Sequence, residues 1–201
     1  MISGIVLAAG QSRRMGVPKA LLPYKGKTFI DNICGVFLAG GVGELVVVVG
    51  GHQHEERIRA AVPKDPAIRV VTNHRYEMGQ LSSLVVGLKT LSSASEAALV
   101  NLVDHPLVKI ATVKAVVSSF RKKAHNPIVV ACYKGRRGHP VLFAQSIYDE
   151  LMNAPQNQGA KAVVRKTPSR VTEIALTDPG IRADIDTPRE FKKWVGPPDV
   201  G

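Results

Sequence analysis

Acidic residues are scarce in this chain of 201 residues: 16 Asp and Glu stand against 27 Lys and Arg, a formal net charge of +11. Aromatic residues make up only 5%, so a nucleic-acid partner would find few side chains on which bases could stack. The cations are scattered as Arg13-Arg14, Arg121–Lys123, Lys134–Arg137 and Lys161–Arg170, which predicts a surface attractive to small polyanions and no nucleic-acid partner. Cysteine is nearly absent. Cys34 and Cys132 are too few for a disulfide framework and lack metal-ligand spacing. They read as small core residues of a reduced, cytoplasmic protein. No apolar run approaches the ~20 residues of a membrane span, so no membrane partner is expected. The apolar run at the start has no basic segment before it and reads as a strand, not a signal peptide. Repeats, low-complexity tracts and obvious linkers are missing too. A length of 201 residues then suits one α/β domain over 1–195, with 196–201 expected to form a flexible tail. Two familiar phosphate loops are also absent, G-x-x-x-x-G-K-[ST] and G-x-G-x-x-G.

What stands in their place is the stretch from Leu7 to Pro23, LAAGQSRRMGVPKALLP. It follows an apolar, β-branched run, Ile2 to Leu7, with the character of a buried strand. Ala8, Ala9 and Gly10 leave the backbone uncovered where that strand ends. Gly10 and Gly16 permit a loop that wraps closely round a ligand, its N–H groups inward. Arg13, Arg14 and Lys19 add three positive charges. Glycines and cations at the end of a first strand make a phosphate cradle by their chemistry.

Downstream the pattern alternates. Thr28 is placed to cap a helix carrying Phe29, Ile30, Ile33, Val36 and Phe37, and Gly40-Gly41 end it. Glu44 to Val49 is a valine run of the kind buried on both faces of a parallel sheet. A short helix near 53–62, a strand at 68–72, a helix at 81–91, a strand at 97–103, a helix at 108–122 and a strand at 127–133 follow. Such alternation predicts a Rossmann-like three-layer α/β/α fold with ligands at the carboxyl ends of the strands. The segments 127–133 and 140–143 flank Lys-Gly-Arg-Arg-Gly-His, which predicts an antiparallel excursion joined by that connection. Two short helices, a strand near 170–176 and a helix from Pro188 to Trp194 close the chain.

Three further groups carry chemistry. In Leu102-Val103-Asp104-His105-Pro106 a strand ends in an acid beside the phosphate loop, where one carboxylate with phosphate oxygens and waters suits magnesium. His105 could be a catalytic base, but a structural role is preferred. In Ala183-Asp184-Ile185-Asp186-Thr187-Pro188, alternation puts both acids on one face. Either is a candidate second metal ligand, and Asp186 is preferred. Between Asn73 and Gly87, Met78-Gly79-Gln80-Leu81-Ser82-Ser83 offers a tight turn and a helix start whose N–H groups and hydroxyls can read a nucleobase edge. A helix cap explains that spacing equally well.

The first loop matches every fixed position of L-A-A-G-x-S-x-R-M-G-x-P-K. It thereby resembles the nucleotidyltransferases related to the molybdenum-cofactor enzymes, the MobA-like family. The strand-terminal Asp-x-Pro, the Gly-x-x-Ser-Ser-Leu helix start, Gly138-His139-Pro140-Val141-Leu142-Phe143 and the late Asp-x-Asp-Thr-Pro extend the similarity to about Phe191. The resemblance implies transfer of a nucleoside monophosphate onto the phosphate of a molybdopterin-type acceptor, with Mg²⁺ as cofactor. It implies catalytic roles for Arg14, Lys19 and Asp104, with Asp104 and Asp186 on the metal; Arg13 falls on a variable position. Nucleotide contacts are expected from Leu7, Ala8, Ala9, Gly10, Arg14, Lys19, Asn73, Gly79, Ser82 and Ser83. Arg136, Arg137 and His139 are expected near the acceptor. Members that use GTP tend to carry Leu-Ala-Gly-Gly where this chain has Leu7-Ala8-Ala9-Gly10, so CTP is the favoured triphosphate. The chain departs from the family's pattern at Gln156-Asn157-Gln158-Gly159-Ala160-Lys161, where relatives often carry Gly-Asp-x-Gly-Ala-Arg. The alternatives are another small phosphate acceptor, such as methylerythritol phosphate or a sugar phosphate, and a non-catalytic accessory protein that serves a molybdoenzyme or its chaperone.

Overall fold

β1 (Ile2–Ala8) is buried along its whole length, because it lies between two parallel neighbours. The computed structural model describes residues 1–12, 14–51, 53–122 and 126–196; Arg13 and the tail beyond Gly196 lie outside the described residues. After β1 the chain makes the glycine loop and the small hairpin β2 (Pro23–Tyr24) and β3 (Lys27–Thr28), which the sequence pattern did not announce. α1 (Phe29–Ala39) follows, and the Asp31 N–H donates to Thr28 Oγ1 at 3.2 Å as the expected cap. Then come β4 (Glu44–Gly50), α2 (Glu55–Ala61), β5 (Ile68–Asn73), α3 (Gln80–Thr90), β6 (Ala97–Leu102) and α4 (Ile110–Lys122). The chain continues through β7 (Ile128–Tyr133), β8 (Arg136–Ala144), α5 (Tyr148–Met152), α6 (Ala160–Lys166), β9 (Val171–Ala175) and α7 (Pro188–Trp194).

The main sheet runs β5-β4-β1-β6-β8-β7-β9. β1 is parallel to β4 and β6, and β4 to β5. β8 is antiparallel to both its neighbours, while β9 returns parallel to β7. Residues of α1, α2 and α4 pack with Val6, Val47 and Leu99 on one face. Residues of α3, α5 and α6 pack with Ile5, Val48 and Val100 on the other. That is the three-layer α/β/α fold expected from the alternation, and it puts the carboxyl ends of β1, β4 and β6 on one edge. Among the described residues no helix is long and apolar enough to cross a membrane. Cys34 and Cys132 are free and buried.

The antiparallel excursion is tighter than the sequence suggests. Tyr133 pairs with Arg136, and the turn is only Lys134-Gly135, with φ of 48° and 70°. Two successive positive φ values make the two-residue hairpin whose twist matches that of the strands. Arg136 to His139 are therefore strand residues, not a loop, and alternation sends Arg137 and His139 the same way and Arg136 the other. Gly138 lies flat under the chain at 179–182: a Cβ there would sit 2.2 Å from the Ile181 carbonyl oxygen. Phe191 of α7 stacks on Phe29 with ring centroids 6.1 Å apart, tying the C-terminal helix to α1.

Candidate active site

Two cavities open side by side at the carboxyl edge of the sheet. The smaller, about 290 Å³, is lined by the end of β1 and its loop, by Lys19, by Gly79, Gln80 and Ser83 at the start of α3, and by Asp104. The larger, about 710 Å³, has an apolar floor that includes Leu81, Leu84, Val100 and Phe143. Its cations are Arg137, Lys161, Arg165 and Arg182. Leu7, Gln80 and Leu102 line both, so the two spaces are neighbours.

Of the residues expected at a nucleotide, Leu7, Ala9, Gly10, Lys19, Gly79 and Ser83 line the smaller cavity. Ala8, Arg14, Asn73 and Ser82 are not among its lining. The Ala8 methyl is buried in the core on the α1 side of the sheet. The Asn73 amide donates to Ser82 Oγ at 2.8 Å and to Ser83 Oγ at 2.9 Å, and its oxygen accepts from the Arg75 N–H at 2.9 Å. Ser82 Oγ also lies 2.7 Å from the Gly79 carbonyl. Asn73 and Ser82 thus spend their polar atoms behind the cavity wall, shaping the turn that presents Gly79 and Ser83. The positive φ of Gly79, 97°, suits glycine at that turn.

The charged residues meet at the mouth. The Ile185 N–H donates to the Asp104 carbonyl at 2.9 Å, which lays the late acidic segment along the end of β6. Thr187 Oγ1 accepts from the Glu190 N–H at 3.2 Å while the Asp186 N–H donates to Glu190 Oε2 at 2.9 Å, a pairing that fixes this segment at the start of α7. Lys19 Nζ donates to Asp104 Oδ2 at 3.0 Å and also to Asp186 Oδ1. Arg14 donates to Asp186 Oδ2 at 2.5 Å. Burial opposes the charge on Lys19, but Asp104 and Asp186 outweigh it and hold the ammonium above its ordinary range. Burial likewise opposes charge on Asp186, and the bonds from Lys19 and Arg14 overcome it and hold the carboxyl low. The candidate phosphate ligands and the candidate metal ligands therefore neutralise one another.

Beside this cluster lies a second. His105 is buried and its pKa is lowered, burial outweighing the attraction of Asp104 and Asp184. Asp184 is pushed up, first by burial and then by the charges of Asp104 and Asp186. His139 lies on the wall of the larger cavity, its ring centroid 4.7 Å from that of His105. Burial, then the neighbouring His105, press it down to about 3. Among the described residues, Asp104 Oδ1 and His105 Nδ1 are buried with no hydrogen-bond partner. A buried carboxylate oxygen with no donor fits a divalent cation, so the donors present suit the metal expected here.

Of the residues expected near an acceptor, Arg137 and His139 reach the larger cavity, and Arg136 is not among its lining. Arg137 is partly occupied, since its guanidinium pairs with Glu173 at 2.6 Å. Lys161, Arg165, Arg182 and Asp184 also line it and were not singled out as acceptor contacts. The break in pattern at 156–161 hinted at the first of these, and nothing in the sequence marked Arg182.

The chain is similar to known proteins along most of its length. The family described as the MobA-like NTP transferase domain matches residues 4–171. A relative named nicotine blue oxidoreductase, from Paenarthrobacter nicotinovorans, is 32% identical over 203 residues, 96% of each chain. A "Probable molybdenum cofactor guanylyltransferase" from Bacillus cytotoxicus is 33% identical over 143 residues, 71% of this chain and 67% of its own. Among solved structures, Rv0371c of Mycobacterium tuberculosis superposes with a TM-score of 0.83 at 28% identity, covering 97% of this chain and 98% of that one. A second structure of Rv0371c, in complex with manganese, gives a TM-score of 0.76 at 28% identity and covers 98% and 99%.

Proposed function

The chain belongs to the MobA-like NTP transferase family, and we propose that it moves CMP from CTP onto the phosphate of a molybdopterin-type acceptor, with release of pyrophosphate. The observation that carries this reading is that two unlike cavities share the wall of Leu7, Gln80 and Leu102, with Lys19 and Asp104 lining the smaller. One is a backbone-lined slot at a glycine loop and a helix start. The other is larger, apolar beneath and cationic at its rim.

In this reading the smaller cavity takes the triphosphate. Lys19 and Arg14 exchange their carboxylate partners for the β- and γ-phosphates and stabilise the charge that grows as pyrophosphate departs. A divalent metal, magnesium in the first instance, would be held by Asp104 with one acid of the 184–186 segment, and when bound it supplies charge neutralisation at the α-phosphate. The acceptor's phosphate oxygen forms the new bond to the α-phosphorus as the bond to the bridging oxygen of pyrophosphate breaks. The nucleophile is already an anion, so no side chain need remove a proton. Acceleration comes from alignment and from charge held in place. The floor of Leu81, Leu84, Val100 and Phe143 with Lys161, Arg165 and Arg182 around it suits a flat ring system bearing anionic groups better than a bare sugar phosphate.

The choice of base rests on Ala9, which lines the smaller cavity; its methyl narrows the floor against a purine. One methyl discriminates by only ~1–3 kcal/mol, so a larger preference has to come from the loop backbone and from the Gly79–Ser83 helix start. Pyrophosphate release with each of the four ribonucleoside triphosphates and molybdopterin tests this. CTP should give the highest kcat/KM, and Ala9→Gly should narrow its lead over GTP without reversing it. A GTP preference in the unmodified protein would overturn the cytidylyl assignment. The relative named nicotine blue oxidoreductase favours a second reading, reduction of a flat heteroaromatic molecule in the larger cavity. Oxidation of a reduced nicotinamide with no pyrophosphate formed would support that reading instead.

A further inference from the structure

Asp104 shows its two oxygens to different surroundings. Oδ2 takes the Lys19 ammonium at 3.0 Å, while Oδ1 is buried and, among the described residues, has no partner. The next residue repeats the situation. His105 is only 8% exposed, and its Nδ1 is also without a partner. In its neutral form an imidazole can offer such a nitrogen's lone pair to a metal ion. Asp184 completes the group: one ligand atom each from Asp104, His105 and Asp184 lie within 4.8 Å of one another. These atoms have lone pairs to give, and the nearby Lys19 is engaged on the other oxygen of Asp104. Asp186 is differently placed, since both its oxygens are taken by Lys19 and Arg14.

We propose that Asp104 Oδ1, His105 Nδ1 and the Asp184 carboxylate form a mixed carboxylate–imidazole site for a divalent transition-metal ion, one that binds Mn²⁺ more tightly than Mg²⁺. Asp186 is the anchor of Lys19 and Arg14, not a ligand. The position fits a bridging role, because Asp104 lines the smaller cavity whereas His105 and Asp184 line the larger one. An ion there touches both substrates' spaces at once. The selectivity follows from the nitrogen: magnesium favours oxygen ligands and retained waters, while imidazole binds the first-row transition dications more readily. His105 thereby acquires a role that a purely structural reading of the Asp-His-Pro turn does not give it. The inference rests on the proposed function only in expecting a dication at this edge.

Metal binding to the full chain, without nucleotide or acceptor, tests it. Mn²⁺ titrations followed by EPR and Mg²⁺ titrations followed by calorimetry should show the tighter site for Mn²⁺, and pulsed EPR of the bound ion should show coupling to an imidazole nitrogen. His105→Gln should abolish that coupling and weaken Mn²⁺ by at least the ~10-fold that loss of a mere outer-shell partner costs. Thermal unfolding checks that the buried substitution still folds. Asp184→Asn changes an exposed residue and should weaken Mn²⁺ comparably, whereas Asp186→Asn should leave it nearly unchanged. Failure to bind Mn²⁺, bound Mn²⁺ lacking nitrogen coupling, or a loss at Asp186→Asn and none at Asp184→Asn would each overturn the proposal. A chain that binds Mn²⁺ as described but transfers no nucleotide would leave this site standing and defeat the proposed function; the reverse result would do the opposite.

Discussion

Lys19 and Arg14 carry the same charge to the same acid from unequal positions. The Lys19 side chain is 13% exposed and lies between Asp104 and Asp186, whereas that of Arg14 is 69% exposed and meets Asp186 alone. Exposed ion pairs contribute about 0–1 kcal/mol, and water can replace much of what Arg14 supplies. A group aimed from a partly buried place at charge that develops during reaction is worth far more. Lys19→Ala is therefore expected to lower kcat by roughly 100-fold or more, as loss of a preorganised transition-state donor does. Arg14→Ala should mainly raise KM for the triphosphate. Steady-state kinetics with CTP varied at fixed acceptor reads both. Equal losses in kcat would mean a diffuse basic patch in place of a shaped cradle. The residues most legible in the sequence are those of the first loop, because Leu7, Ala9, Gly10, Ser12 and Lys19 line the smaller cavity from one short stretch of chain. Asn73 and Ser82 bond within the turn for a physical reason: hydroxyls and an amide at a helix start satisfy the turn as readily as a ligand, and spacing cannot tell which.

At the scale of elements, β8 decides the shape of the larger cavity. It enters the sheet antiparallel between β6 and β7, and its register sets Arg137 and His139 toward the cavity and keeps Arg136 out of its lining. Gly138 lets the chain at 179–182 lie directly against it, which brings Arg182 and Asp184 to the wall. A Cβ at Gly138 would meet the backbone oxygen of Ile181 at 2.2 Å, and backbone cannot step aside as a flexible side chain can. Gly138→Ala should cost ~1–3 kcal/mol, the usual penalty of overpacking, and should weaken acceptor affinity more than triphosphate affinity. Denaturant unfolding and separate KM values check both halves; a stable variant with unchanged acceptor KM would contradict this packing. The strand–helix order was legible because valine-rich runs alternate with amphipathic ones and every parallel crossover needs a helix. The second cavity was not, because its walls come from residues far apart in the chain, from Leu7 to Asp184, which only the insertion of β8 brings together. His105 reads as structural in the sequence because the transfer needs no base, and its unpartnered nitrogen shows only in the fold.

Over the whole molecule, hydrogen-bonded carboxylates tie helices, strands and turns in place. The Thr72 hydroxyl and then Arg59 hold Glu55 below the ordinary glutamate value of 4.5. Arg137 and then Cys132 do the same for Glu173, and the backbone N–H of Asp186 and then Thr187 for Glu190. The folded carboxylates resist protonation more than the unfolded ones, so below the ordinary value the unfolded chain binds more protons. The stability these groups contribute is thus complete above pH 4.5 and is lost as the pH falls through their lower folded values. Denaturant midpoints measured from about pH 7 to about pH 3 should decline through the acid range; a flat or rising profile would show that these contacts contribute nothing. Two unlike cavities lie against a shared cluster of charge, and in the proposed function a nucleotidyl group passes from one to the other. The most direct test follows CTP labelled at the α-phosphorus in the presence of molybdopterin and a divalent metal. Label should appear on the acceptor together with an equal amount of unlabelled pyrophosphate. Label that stays with free nucleotide, or appears on the acceptor without pyrophosphate, would contradict it.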